Sequence, residues 1–251
     1  NVNNAGHALI VSGGANTVLM GSLAGTGDLT KVGMGTLTLS GVSTYSGMTS
    51  IDAGSLVAGA GAFSNTSAIS VGDGANLNAV DVNSSAPLSI AAPDGGSGGR
   101  ATISGSNVRL ATVLNESSLP DGLSFTASAG TIAIGSLSGN GFTNFSNDVV
   151  VDGGITVGTL TVSGRLSSDI SGGYVRAASI ATNTMSGGSL TLTGVGRSST
   201  LGNMNSGDVK VNAGTLDVGA SAASANTNLS IASGAQLNYT PLVAGTLNVA
   251  S

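Results

Sequence analysis

Between Asp28 and Gly59 the chain reads DLTKVGMGTLTLSGVSTYSGMTSIDAGSLVAG, and this pattern leaves few folds open. Thr36-Leu37-Thr38-Leu39-Ser40 alternates with period two, which sets Leu37 and Leu39 on one face of a strand and hydroxyl side chains on the other. Gly33 and Gly35 precede that strand and Gly41 closes it. Further short strands are expected at Thr49 to Ile51 and at Ser55 to Val57, each ending near a glycine. Glycine suits a turn in which the backbone takes positive φ, so these glycines are read as the corners of the turns. The chain changes direction every few residues and has no stretch that supports a helix of ten residues.

Internal repetition extends the pattern. Residues 52–80 align without a gap on residues 212–240, with twelve of 29 positions identical. Gly54-Ser-Leu56 matches Gly214-Thr-Leu216, and Gly74-Ala-Asn-Leu77-Asn78 matches Gly234-Ala-Gln-Leu237-Asn238. Fainter Gly-Ser/Thr-Leu echoes fall at Leu137, Leu160, Leu190 and Leu247. Gly54 to Gly74 gives a unit of twenty residues, which fits one coil of a β-solenoid made of two or three strands and their corners. At that length the chain makes about twelve coils, a rod on the order of 60 Å at ~4.8 Å per coil. A β-sandwich array is the alternative, but its strands run longer and carry larger core residues.

The stretch also resembles a known family, the passenger-associated repeat of bacterial autotransporters and related exported surface proteins. The residues that carry the resemblance are Leu29, Lys31, Gly33, Gly35, Thr36, Leu37, Leu39, Ser40, Gly41, Thr44, Tyr45, Gly47, Thr49, Ile51, Gly54 and Leu56. Ser43 stands where that family has asparagine, and Met48 where it has a second glycine. The resemblance implies a right-handed parallel β-helix outside the cell. It implies no catalytic residue, because the repeat is a scaffold unit.

Composition supports a narrow, repetitive core. Of 251 residues 41 are glycine and 4 proline, with no Gly-X-Y period, which excludes collagen. Charged residues are 8% and mean hydropathy is +0.35, the reverse of a disordered chain. Aromatics are 3%, so stacked aliphatic side chains must fill the interior. The seven basic residues are scattered and the net charge is −5, so no basic stripe marks a nucleic-acid partner. No cysteine is present and no apolar run reaches eighteen residues, so no membrane-spanning segment is expected. Beginning at Asn1 without a methionine, the chain is read as a mature product or a segment of something longer.

One solenoid over 1–251 is expected, with repeat-like units at 28–59, 52–80 and 212–240 and loops at 87–100 and 115–122. Leu37, Leu39, Ile51, Leu56, Ile69, Val71 and Leu77, with Leu216, Leu229, Ile231 and Leu237, are expected to point inward. Three of the four phenylalanines, Phe125, Phe142 and Phe145, fall close together in sequence, under an expected bulge or loop.

Chemistry is sparse. The fold class also houses polysaccharide lyases and hydrolases, which need converging carboxylates. Here the closest acid pairs are Asp73/Asp81, Asp148/Asp152 and Glu116/Asp121, and Asp52 lies about one coil from Asp73. The preferred reading is that these are turn aspartates, and no catalytic, cofactor or metal residue is assigned. His7, the only histidine, is read as a surface residue, which leaves no Ser-His-Asp triad. Gly72-Asp73-Gly74 and Asp152-Gly153-Gly154 are turns, with room for an incidental calcium at most. Six Asn-x-Ser/Thr triplets reflect serine-rich composition.

The expected function is structural and not enzymatic: an extracellular stalk or filament subunit of a bacterial cell surface or matrix. The alternatives are an adhesin passenger and, last, a polysaccharide-active enzyme. The expected partner is another copy, head to tail, with cell-surface or matrix components as further candidates. No acid, lysine or arginine precedes Asp28 and none follows Asp217, although strands are expected near both ends. An unprotected solenoid end is a template for further pairing.

Overall fold

A computed structural model describes residues 1–84, 88–91, 101–117, 122–128, 131–221, 227–239 and 249–250. Among these there is no helix, and every strand pairing is parallel. The chain is a β-solenoid of about 10 turns and roughly 20 residues per turn.

Each coil has three faces, visited in a fixed order. The first begins at Leu9–Val11 and stacks in register on Leu29–Lys31, Thr49–Ile51 and Ile69–Gly72. The second begins at Thr17–Leu19 and stacks on Thr36–Leu39, Ser55–Ala58 and Asn76 to Ala79. The third opens with Val2–Asn3 on Leu23–Ala24, and returns as Val108, Ile132, Val149, Leu166 and Ile180 in adjoining coils.

Alternation along each short strand decides which side chains fill the prism. In Thr36–Leu39 the leucines are buried and the threonines half-buried. Leu37, Leu56, Leu77, Ile103, Phe125 and Phe145 form one continuous inward column, each directly above the last. The Phe125 and Phe145 rings stack with centroids 4.9 Å apart and planes 9° from parallel. Two rings on adjacent coils thus share the geometry that the strand spacing imposes. Phe142 is half-buried on the outward side, where the register slips between Gly139 and Phe142.

Of the expected core set, Leu37, Leu39, Ile51, Leu56, Ile69, Val71, Leu77, Leu216 and Leu229 are buried. Ile231 and Leu237 pack against the core but are only partly covered. Coil length varies along the rod. Leu9, Leu29, Thr49 and Ile69 succeed one another at twenty residues. The step from Leu88 to Val113 takes twenty-five, while Ile155, Ile170 and Met185 follow at fifteen.

The expected loops also need correction. Leu88–Ala91 is a strand paired with Ile69–Gly72 and with Val113 to Asn115, so it belongs to the wall. The rest of the first expected loop, 87 and 92–100, lies outside the described residues. Asn115 ends a strand and is fully buried, and of the second expected loop 118–121 lie outside the described residues.

The aligned units 52–80 and 212–240 occupy different faces. Leu56 stands on the second face, whose column runs on through Val162 and Ala177 to Val211 and Ile231. Leu216 stands on the third face, above Ser199 and below Leu237. What recurs is therefore a corner-and-strand unit: a glycine, an outward serine or threonine, then an inward leucine.

Candidate functional site

The motif-bearing coils bury the polar side chains Lys31, Ser43 and Thr49. Lys31 occupies an inward position between Val11 and Ile51 and is 1% exposed. Its stem lies in the core and its Nζ donates to three corner carbonyls: Val32 O at 3.1 Å, Gly33 O at 2.5 Å and Ala53 O at 3.3 Å. The first two belong to its own coil and the third to the next. Burial lowers the ammonium pKa from its ordinary value. A cation here satisfies carbonyls that a sharp corner leaves without ladder partners.

At the corner between the third and first faces, Tyr45 lies inside with its ring 1% exposed. Its hydroxyl meets Thr49 Oγ1 at 2.5 Å, and Thr49 Oγ1 meets Thr66 Oγ1 at 3.0 Å. Thr66 in turn donates to the Gly47 and Ala68 carbonyls at 2.7 and 3.1 Å. Desolvation pushes the Tyr45 phenol up to about 12, partly offset by the bond to Thr49. Lys31, Tyr45 and Thr49 are thus fixed by the needs of the coil.

Several corner glycines are explained by proximity, which corrects the sequence-based reason for them. Gly33 and Gly54 do have positive φ, at 81° and 72°. Gly35, Gly41 and Gly47 do not; a Cβ on them would lie 2.2, 2.6 and 2.2 Å from backbone atoms of the preceding coil. Here glycine permits close approach of two backbones rather than an unusual turn.

The acids are spread along the rod as staples between coils. Asp28 Oδ1 accepts from Met48 N at 2.8 Å, Asp148 Oδ1 from Arg165 N at 2.8 Å, and Asp169 Oδ1 from Thr184 N at 2.9 Å. Asn4, Asn16 and Asn147 do the same through their amide oxygens. Asp52 accepts from Ser50 Oγ at 2.5 Å and is half-buried. Asp73 is 5% exposed and accepts from Ser117 Oγ at 2.8 Å. Ser117 N donates to Asn115 Oδ1, and Asn115 Nδ2 donates to Phe142 O and Thr143 Oγ1. That buried network ties three coils, and nothing in residue spacing announces it. Each carboxylate of the Asp52/Asp73 pair is held by its own serine.

Asp152 is exposed at its turn, and Asp121 lies outside the described residues. His7 is exposed. Among the described residues no group of three His, Cys, Asp or Glu is placed to hold a metal ion, and no helix is long and apolar enough to cross a membrane.

The first coil is the other distinctive feature. Its inward residues Val2, Leu9, Val11 and Leu19 are only half-buried, whereas their equivalents one coil on, Leu23, Leu29, Lys31 and Leu39, are 0–2% exposed. Leu9 N donates to Asp28 O and Val11 O accepts from Val32 N. Alternation then turns the N–H and C=O of Ile10 away from the second coil, toward the open end. Leu19 O accepts from Ser40 N, so Val18 is in the same situation on the second face. Ile10 and Val18 are 63% and 54% exposed, and Met20 beside them is 84% exposed.

Residues 29–58 match the passenger-associated-transport-repeat family. No curated protein and no solved structure matches the chain. The matched segment contains Lys31, Tyr45, Thr49 and the close-approach glycines, so the family's pattern coincides with the buried staples of two coils.

Proposed function

We propose that this chain is a structural rod of an exported bacterial surface protein, a passenger stalk that associates head to tail with another copy. The observation that carries this reading is the continuous parallel solenoid that bears the passenger-type repeat, with a strand edge at Ile10 and Val18 turned away from the second coil. Free strand edges on the first and second faces favour another parallel coil, supplied by the next copy head to tail. A heterologous contact of that kind generates a filament when its rotation does not close. The export and surface setting rests on the passenger-type repeat at 29–58. The reading assigns no enzymatic step, because Asp52 and Asp73 are each engaged by a serine hydroxyl.

Light scattering of the purified chain against concentration, with electron microscopy, tests this. Concentration-dependent rods longer than one chain are expected. The double variant Ile10→Pro/Val18→Pro removes two outward N–H groups while sparing the ladder to the second coil, so it should remain as single rods. Wild-type chain that stays a single rod at high concentration overturns the reading; so does assembly that the folded double variant leaves unchanged.

A further inference from the structure

We propose that the outward side of the second face, between Tyr174 and Asn228, is a binding groove for an oligosaccharide. This goes beyond the structural role, since a rod needs no such groove.

The ladder registers bring the residues together. Ser189 N donates to Gly173 O, which sets Ser189 directly over Tyr174. Ser189 then pairs with Asp208, and Asp208 with Asn228. Four coils therefore place Tyr174, Ser189, Asp208 and Asn228 in one outward column, with Val175, Leu190, Val209 and Leu229 buried beneath. Two adjoining hollows of about 320 and 430 Å³ run along this column and share Ser189 and Asp208. Gly173 and Gly188 line the hollow beside Tyr174, and Lys210 lines the far one.

The aromatic ring is the telling feature. Tyr45, Phe63, Phe125 and Phe145 are inside the prism, yet Tyr174 is 69% exposed. A ring in water on a flat sheet offers a face on which the C–H side of a pyranose can stack, and its hydroxyl remains free to bond. Next to it stands what a sugar's hydroxyls require. Asp208 supplies carboxylate acceptors, one of which takes a 2.7 Å bond from Asn228 Nδ2; Ser189 and Lys210 add donors. Bonds to charged groups are the stronger kind, and a vicinal diol matches a carboxylate in bidentate fashion.

Spacing completes the fit. From Tyr174 to Asn228 is three rungs, about 14 Å at ~4.8 Å per rung. That advance per rung is close to the advance per unit of an extended hexose chain, so a trisaccharide can engage successive coils. The column continues backward through Thr159 to Phe142, a second and half-buried ring two rungs from Tyr174. Polar side chains above an aromatic platform select a polyhydroxylated ligand over an apolar peptide.

The test is calorimetric titration of the intact chain with three probes: trimers of glucose, of N-acetylglucosamine and of galacturonic acid. At least one should bind at millimolar concentration or better. Tyr174→Ala should weaken that binding at least tenfold and Tyr174→Phe should retain it. Asp208→Asn, which keeps the shape, should weaken it severalfold. Tyr174 is exposed, so the variants should melt as the wild type does. The Ile10→Pro/Val18→Pro chain should bind equally, which separates this proposal from the one about assembly. Failure of all three trimers, or unchanged binding by Tyr174→Ala, overturns it.

Discussion

Replacing Gly47 by alanine asks whether the corner glycines are there for the turn or for the distance between coils. The backbone of Gly47 is not left-handed, so conformational propensity alone predicts a gain in stability from alanine. The added Cβ, however, would sit 2.2 Å from Gly27 O, 2.4 Å from Gly27 C and 2.7 Å from Asp28 N. All three are backbone atoms of the coil below and cannot swing aside. Ordinary contact begins at 3.4 Å, so the two coils must part by more than 1 Å at this corner. Bonds on either side would stretch: Ser46 N to Gly25 O at 3.0 Å and Met48 N to Asp28 Oδ1 at 2.8 Å. Overpacking costs about 1–3 kcal/mol and two weakened hydrogen bonds add about 1 kcal/mol each, giving a loss of about 3–5 kcal/mol. Gly14→Ala is the control, because its φ is ordinary and nothing lies within 4 Å of the added carbon. Denaturant titration followed by circular dichroism compares the two, and hydrogen exchange at Ser46 and Met48 localises the loss. A Gly47→Ala chain as stable as Gly14→Ala would refute the distance argument.

Other expectations follow from the buried polar groups and from the core. Tyr45, with its phenol near 12 when folded and 10.0 when unfolded, contributes stability that is present below pH 10 and lost as pH rises through about 12. The loss approaches about 3 kcal/mol once the folded phenol ionises, and Tyr45→Phe should abolish it in alkaline melting curves. Lys31 works in the opposite sense: with its pKa lowered, stability should rise with pH between the folded value and 10.5. Lys31→Met keeps the stem but strands the carbonyls of Val32, Gly33 and Ala53, so chemical denaturation should reveal a loss of about 1–3 kcal/mol. Leu77→Ala empties a fully buried rung and should cost about 2–5 kcal/mol by the same assay. The pair Asp52→Asn/Asp73→Asn should alter local stability alone; polysaccharide cleavage that this pair abolishes would contradict the structural reading.

The fold was legible because a solenoid is specified locally. Period-two alternation at Leu37 and Leu39, and again at Ile69 and Val71, places each leucine, isoleucine or valine inside without knowledge of its neighbours above and below. Stacking then follows from equal coil lengths, which residues 9 to 72 keep. Where length drifts, from Leu88 to Val113 or at Ile155, Ile170 and Met185, the sequence still marks strands but no longer says which rung they meet. That is why 52–80 and 212–240 look like in-phase copies and yet sit on different faces.

The groove on the second face was illegible for the same reason. Tyr174, Ser189, Asp208 and Asn228 are separated by intervals of fifteen, nineteen and twenty residues, so no fixed period links them. Only the hydrogen-bonded register converts those unequal intervals into one straight column. Asn115 shows the inward counterpart: a residue of loop-forming type, followed by Glu-Ser-Ser, is drawn into the interior because Phe142 O and Thr143 Oγ1 on the next coil need a donor and Ser117 N needs an acceptor. In such a fold the inward side of each coil obeys a rule that a single strand can state. The polar columns, inside and out, are properties of the stack, and any function this rod has beyond length must be written there.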